Sequence, residues 1–388
     1  MDITIRPRLL QGKIRAIPSK SQAHRLLICA AFADNETRLI CRDTNRDIEA
    51  TAQCLCALGA NIRRTNDGYL VKPIRKICKS ATLNCFESGS TLRFMLPIVG
   101  ALGLDAVFHM EGRLPLRPLS PLWEEMERMG CNLTRPAPDT IRCCGKLKAG
   151  LYSIAGDVSS QYITGLLFAL SLIDGDSRLE ITGKVESRPY IEMTKKALAL
   201  FCAPQYHSPG TITVEGDWSN GAFFLAAAAI GNLVTVDELD PTSAQGDKAC
   251  EDILTRLDNQ ITICAADIPD LVPVLAVVAG AKNGAVFTNI QRLRLKESDR
   301  VESVVQMIRS LGGQADATAD TLTVWGTGFT GGTVDAVNDH RIAMSAAIAA
   351  TVCKKPVTVL GAECVSKSYP AFWEEYKRLG GYYEQYLR

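Results

Sequence analysis

Along the chain, stretches of about ten almost wholly apolar, Ala- and Leu-rich residues alternate with amphipathic runs and short β-type runs. Six of the apolar stretches open on a small cluster of Ser, Asp, Asn or Lys. They begin near Lys20 (KSQAHRLLICAAFA), Gly89 (GSTLRFMLPIVGAL), Ser159 (SSQYITGLLFALSL), Asp217 (DWSNGAFFLAAAAI), Asp267 (DIPDLVPVLAVVAG) and Asn338 (NDHRIAMSAAIAAT). Ten apolar residues exceed the usual strand and fall short of the about 18 that a membrane span needs, so each stretch predicts a buried helix. Roughly 25 to 30 residues later follows a second helix, apolar on one face only: 46–59, 120–130, 190–202, 247–257, 298–312 and 371–380. In 298–312, Val301, Val304, Val305, Ile308 and Leu311 share a face, and Gly312 and Gly313 stop the helix. Strands are expected at 211–214, Ala285–Thr288, 321–324 and Val357–Leu360. The starts recur every roughly 50 to 70 residues, which predicts an α/β protein built from six βαβα-plus-strand repeats.

Helices buried on all sides must bring their polar starts to the surface somewhere. Two readings of the Ser and Asp at those starts stand side by side. They cap the helices, or several helix N-termini converge on an anion site. Lys20 and Arg25 flank the first start, Arg93 the second and Arg341 the last, while Lys296 and Arg300 open the helix at 298–312. A cation at a helix N-terminus opposes the macrodipole by a few tenths of a kcal/mol, so its recurrence points to an anionic ligand.

Length and composition narrow the class. The 388 residues, 47% of them hydrophobic, suffice for two or three cored domains, and a net charge of +1 excludes a globally basic partner for nucleic acid. Residues 1–10 carry Asp2, Arg6 and Arg8 and lack an apolar core, so neither signal peptide nor membrane partner is expected and the chain reads as cytoplasmic. The 14 Cys are scattered with no CxxC, and the four His lie far apart. No disulfide framework and no metal are expected; the thiols read as small buried hydrophobes.

Nine segments, in order, resemble the signature blocks of the enolpyruvylshikimate-phosphate synthase family: PSKSQAHR (18–25), ESGSTLR (87–93), LRPL (116–119), GDVSSQY (156–162), SRPYIEMT (187–194), DIPD (267–270), LRLKESDR (293–300), NDHRIAM (338–344) and SKSYPAFW (366–373). The resemblance implies a two-lobed inside-out α/β barrel of six βαβαββ repeats, three per lobe. One lobe is 1–18 plus 245–388, the other 19–244, with the active site in the cleft between them and closure on substrate. It implies transfer of the enolpyruvyl group of phosphoenolpyruvate to the 5-hydroxyl of shikimate-3-phosphate by addition and elimination, releasing phosphate. Lys20, Gly89, Arg93, Arg117, Gln161, Arg300, Arg341 and Lys367 match phosphoenolpyruvate-binding positions. Lys20, Ser21, Arg25, Ser159, Ser160, Gln161, Ser187, Tyr190, Asp270 and Lys296 match positions for shikimate-3-phosphate. Glu297 and Lys20 match the proton-transfer residues, and Asp270 the base for the attacking hydroxyl. Substrates carrying four anionic groups explain the clustered cations, so no cofactor is implied. A monomer is expected, with acids such as Glu124, Glu125, Glu374 and Glu375 on outer helices offsetting the cations.

Two positions depart from the family pattern. Glu87 stands where an Asn is usual, and Arg292 replaces a polar amide. The sister reaction on UDP-N-acetylglucosamine uses a reactive Cys in the loop that corresponds to 112–121, which here reads LPLRP and holds none. A non-catalytic relative that only binds a phosphorylated metabolite would have no use for Lys20, Asp270 and Glu297.

Overall fold

The computed structural model describes residues 1–202 and 205–386. The expected six helix pairs form: α1 (Lys20–Ala31) with α2 (Arg46–Ala57), α3 (Gly89–Leu102) with α4 (Leu122–Arg128), α5 (Ser160–Leu170) with α6 (Arg188–Phe201), α7 (Trp218–Ala229) with α8 (Cys250–Arg256), α9 (Val272–Ala281) with α10 (Arg300–Ser310), and α11 (His340–Ala350) with α12 (Phe372–Arg378). The first member of each pair is the apolar one. In α9 every residue from Val272 to Gly280 is buried, and in α11 every residue is. Such helices have no polar face to turn to water, so they fill the middle of the fold while sheets with alternating buried and exposed positions cover them.

The chain divides into two units, residues 1–17 with 215–388, and residues 18–214. Within 18–214 two four-stranded sheets share one design, a parallel pair extended by an antiparallel hairpin. Their strand orders are Thr211–Thr213, Thr37–Ile40, Gly68–Lys72, Asn61–Thr65 and Ser80–Asn84, Asp105–His109, Thr140–Gly145, Cys131–Ala137. A third sheet is the parallel pair Leu151–Ala155 and Arg178–Thr182. The other unit repeats the scheme with Ile261–Cys264, Ala285–Thr288, Thr321–Trp325, Gln314–Ala317; with Gly332–Asp335, Val357–Leu360, Asp2–Arg6, Tyr382–Tyr386; and with the pair Leu233–Asp237 and Gln11–Arg15. This is the inside-out α/β fold, and each unit has its own hydrophobic core.

Three boundaries differ from the sequence reading. The second crossing between units falls at 214/215, earlier than 244/245, because Leu233–Asp237 pairs with Gln11–Arg15 and so belongs with the termini. The polar residues Asp267 and Asp270 do not cap the fifth apolar helix. α9 starts only at Val272 with Pro273 in its first turn, leaving DIPD as a turn ahead of it. The segment 247–257 splits into a 3₁₀ turn, Gly246–Ala249, and α8.

Candidate active site

In residues 18–214 the starts of α1, α3 and α5 are capped by Ser19, Ser88 and Ser159, whose side chains accept from the N–H of Gln22, Thr91 and Gln161. Capping is therefore present, and it accounts for only part of the polar clustering. Gln161 Nε2 of α5 donates to Ser90 Oγ of α3 at 3.0 Å. A chain of side chains joins the other starts: His24 Nδ1 to Thr51 Oγ1 at 2.7 Å, Thr51 to Thr91 at 2.7 Å, and Thr91 to Ser88 at 2.8 Å. Burial pushes His24 down to about 3, so the imidazole is neutral here.

Arg93 and Arg117 close on Gly89 at the N-terminus of α3. A Cβ at Gly89 would lie 2.6 Å from Arg93 Nη1 and 2.7 Å from Arg117 Nη1. The missing side chain leaves a space lined by two guanidinium groups and a helix N-terminus, the size and charge of an anion's oxygen. Arg93 Nη2 donates to the Pro118 carbonyl at 3.0 Å, and Tyr162 Oη donates to the same oxygen at 2.6 Å, which fixes the segment bearing Arg117.

Arg25 is 3% exposed and donates to Thr194 Oγ1, the Ser21 carbonyl, the Tyr190 carbonyl and Thr164 Oγ1. None of these acceptors is charged. Burial lowers the guanidinium to about 10, and one of its five donors is left to meet a ligand. Ser21 and Tyr190 thus hold Arg25 through their carbonyl oxygens. Ser160 and Ser187 are buried, and Ser187 has a left-handed backbone (φ 54°) just ahead of α6. Lys20 Nζ, the first residue of α1, pairs with Asp47 Oδ2 at 2.9 Å. Glu87 turns to the backbone of the next loop: its carboxylate takes the space a Cβ on Gly112 would need.

The unit formed by 1–17 and 215–388 holds a second array. Arg300, 1% exposed, lies among three carboxylates. Nε donates to Asp339 Oδ2 at 2.9 Å, Nη1 to Asp270 Oδ1 at 2.7 Å and Nη2 to Glu297 Oε2 at 2.5 Å. Asp270 also meets Lys296 Nζ at 3.5 Å and Arg341 Nη2 at 3.3 Å. Arg341 Nη1 donates to the Asp270 carbonyl at 3.1 Å, and Nη2 to Ser219 Oγ at 2.7 Å. Asp339 caps α11 through the Arg341 N–H and accepts from Ser298 Oγ at 3.0 Å. Lys367, buried, ends the 3₁₀ segment Ala362–Lys367, next to Ser368, whose Oγ accepts from Asn220 of α7 at 3.3 Å.

Burial pushes the Asp270 carboxyl up, but Arg341, Lys296 and Arg300 outweigh it and hold the group well below the usual carboxylate range. Burial lowers Lys296 to about 8 against the pull of Asp270. Arg300 is pushed down by burial and further up by Asp339, Glu297 and Asp270, so it stays charged. These cations are offset inside the array by Asp270, Glu297 and Asp339, not chiefly by acids on outer helices. A guanidinium 1% exposed costs several kcal/mol unless paired, which is why its counter-charges are adjacent. Glu125, one of the expected outer acids, is itself buried and pairs with Arg128.

The structure brings Lys20, Ser21, Arg25, Gly89, Arg93, Arg117, Ser159, Ser160, Gln161, Ser187 and Tyr190 into one unit, and Asp270, Lys296, Glu297, Arg300, Arg341 and Lys367 into the other. Asp47, Asp339 and Ser219, which contact Lys20, Arg300 and Arg341, were not marked by the sequence. Asp47 and Asp339 sit in the first turn and at the cap of their helices, where an acid is common without any ligand. Among the described residues no helix is long and apolar enough to cross a membrane.

Comparison with known proteins gives the chain's relatives. Residues 5–376 match the family model described as EPSP synthase (3-phosphoshikimate 1-carboxyvinyltransferase). The 3-phosphoshikimate 1-carboxyvinyltransferase of Clostridium kluyveri is 37% identical over 98% of this chain and 97% of its own, and that of Clostridium acetobutylicum 36% over the same shares. A solved EPSP synthase from Acinetobacter baumannii superposes with a TM-score of 0.80 over 99% of this chain and 100% of its own, at 22% identity.

Proposed function

The chain belongs to the EPSP synthase (3-phosphoshikimate 1-carboxyvinyltransferase) family, and from that premise we propose that the two arrays serve its reaction together. The enzyme transfers the enolpyruvyl group of phosphoenolpyruvate to the 5-hydroxyl of shikimate-3-phosphate and releases phosphate, in the shikimate pathway to chorismate and the aromatic amino acids. The observation that carries the assignment of roles is the pair of guanidinium groups at Gly89; Arg341 and Lys367 are buried cations of the other unit.

In this proposal Lys20, Gly89, Arg93, Arg117, Gln161, Arg300, Arg341 and Lys367 hold the phosphate and carboxylate of phosphoenolpyruvate. Arg25 and Ser21 face the carboxylate of shikimate-3-phosphate. Ser159, Ser160, Ser187 and Tyr190 face its phosphate, and Lys296 and Asp270 its ring hydroxyls. Substrate anions draw the cations away from Asp270, which raises its basicity from the suppressed value it has beside Arg341, Lys296 and Arg300. Asp270 then takes the hydroxyl proton as the oxygen attacks C2 of the enol, while Glu297 gives a proton to C3, with Lys20 assisting. In the second half C2–O cleavage expels phosphate and a proton leaves the new methyl group, restoring the double bond. Binding of both substrates brings the two units into action on one pair of molecules. The enzyme works as a cytoplasmic monomer without a cofactor, the protein's own cations supplying the charge.

Release of phosphate from phosphoenolpyruvate, followed with shikimate-3-phosphate or UDP-N-acetylglucosamine as acceptor, tests the proposal. Release with the first acceptor alone is the expected result. Release only with the sugar nucleotide, or with neither, would overturn it.

A further inference from the structure

Arg25 of α1 is 3% exposed, and among the described residues no carboxylate pairs with it. Its guanidinium bonds instead to two fully buried threonines, Thr164 of α5 and Thr194 of α6. Nε donates to Thr194 Oγ1 at 2.9 Å and Nη2 to Thr164 Oγ1 at 3.3 Å, while the two hydroxyls meet each other at 2.9 Å. Thr194 Oγ1 also lies 2.9 Å from the carbonyl oxygen of Tyr190, one turn earlier in α6. A carbonyl only accepts, so the single hydroxyl proton of Thr194 goes there, and the proton between the two threonines comes from Thr164. Every direction in the group is then set. Thr164 donates to Thr194, Thr194 donates to its own helix, and each hydroxyl keeps a lone pair for Arg25.

The other donors of Arg25 follow the same plan. Nη2 gives its second proton to the Tyr190 carbonyl at 2.9 Å, Nη1 gives one to the Ser21 carbonyl at 2.6 Å, and the guanidinium carbon stands 5.3 Å from the centre of the Phe94 ring. One Nη1 proton has no acceptor among the described residues. Arg300 of the other unit is the opposite case, with three carboxylates around it. A buried guanidinium held only by neutral oxygens keeps its charge for an arriving anion, whereas a carboxylate beside it would take part of that charge and compete with the ligand. We propose that Thr164 and Thr194 are positioning residues for the reaction, which fix Arg25 by neutral hydroxyls so that its charge and its last donor serve the carboxylate of shikimate-3-phosphate. This rests on the function set out above and adds to it two residues that act only through Arg25.

Calorimetry of shikimate-3-phosphate binding to the full chain, with thermal unfolding of each variant alongside, tests this. Thr194→Val and Thr164→Val keep the shape and remove the hydroxyls. Each is expected to weaken shikimate-3-phosphate by about tenfold, the size of a lost hydrogen bond to a charged group, with KM for phosphoenolpyruvate at saturating shikimate-3-phosphate within about twofold of the parent. Thr194→Ser, which keeps the hydroxyl, restores the parental affinity. A shikimate-3-phosphate analogue with its carboxylate reduced to a hydroxymethyl group separates positioning from packing: it binds the parent weakly, and Thr194→Val weakens it no further. Thr194→Asp and Thr194→Asn, equal in shape, test the neutrality, and the first is expected to bind shikimate-3-phosphate at least about tenfold more weakly than the second. Should Thr194→Asp fail to fold, the valine and serine variants decide by themselves.

Unchanged affinity in both valine variants, an equal loss for shikimate-3-phosphate and its carboxylate-free analogue, or equal binding by Thr194→Asp and Thr194→Asn would overturn the proposal. A parent protein that fails to bind shikimate-3-phosphate would instead overturn the underlying function, so the two failures are told apart.

Discussion

Glu297→Gln is expected to lower turnover by about a hundredfold to ten-thousandfold while both substrates still bind, the range a positioned general acid contributes. Glu297 Oε2 accepts from Arg300 Nη2 at 2.5 Å, and the Gln amide oxygen can accept the same bond. The shape and the anchoring of the side chain are kept. What is lost is the proton for C3 of phosphoenolpyruvate, which an amide cannot give. Single-turnover phosphate release measures the loss, and calorimetry of shikimate-3-phosphate and phosphoenolpyruvate shows whether binding survives. Turnover at the parental rate would remove Glu297 from the mechanism.

The largest effect on stability is expected from Arg300→Met. The guanidinium is 1% exposed and holds Asp339, itself 0% exposed, together with Asp270 and Glu297. Its removal leaves the fully buried Asp339 carboxylate without its guanidinium partner, which costs about 3–5 kcal/mol, a large share of the roughly 5–15 kcal/mol a domain has. Urea unfolding at neutral pH reads this as a fall in midpoint. The pH dependence has a definite direction. Asp270 is held below its ordinary value in the folded protein, so its pairing stabilises at neutral pH and the contribution fades as pH drops below the about 3.9 of an unfolded Asp. The gap between parent and variant therefore narrows in acid. A neutral-pH difference below about 1 kcal/mol would show that the carboxylates have other compensation.

The helix pairs were legible because burial imposes a period: all-apolar runs such as Val272–Ala281 and one-faced runs such as Arg300–Ser310 leave different signatures. The crossing between units was not. It depends on Leu233–Asp237 pairing with Gln11–Arg15, while Thr211–Thr213 pairs with Thr37–Ile40, and a choice between distant strands has no local trace. The same split runs through the site. Cations at helix starts stood out because they oppose the dipole. Their counter-charges did not: Asp339 is a competent N-cap and Asp47 an ordinary first-turn acid, so each satisfies a local rule while also serving a distant Arg300 or Lys20. Glu87, a departure by sequence, lies with its carboxylate against Gly112, while Arg93 and Arg117 close on Gly89.

The idea that two arrays, carried by different units of the chain, bind one substrate is tested most directly by calorimetric titration of phosphoenolpyruvate into shikimate-3-phosphate-saturated protein, for Arg93→Met and Arg341→Met in parallel. Each substitution removes one charged contact from one unit, and each is predicted to weaken phosphoenolpyruvate by at least about tenfold. Loss of affinity in only one of the two variants would confine the substrate to a single unit and contradict the shared site.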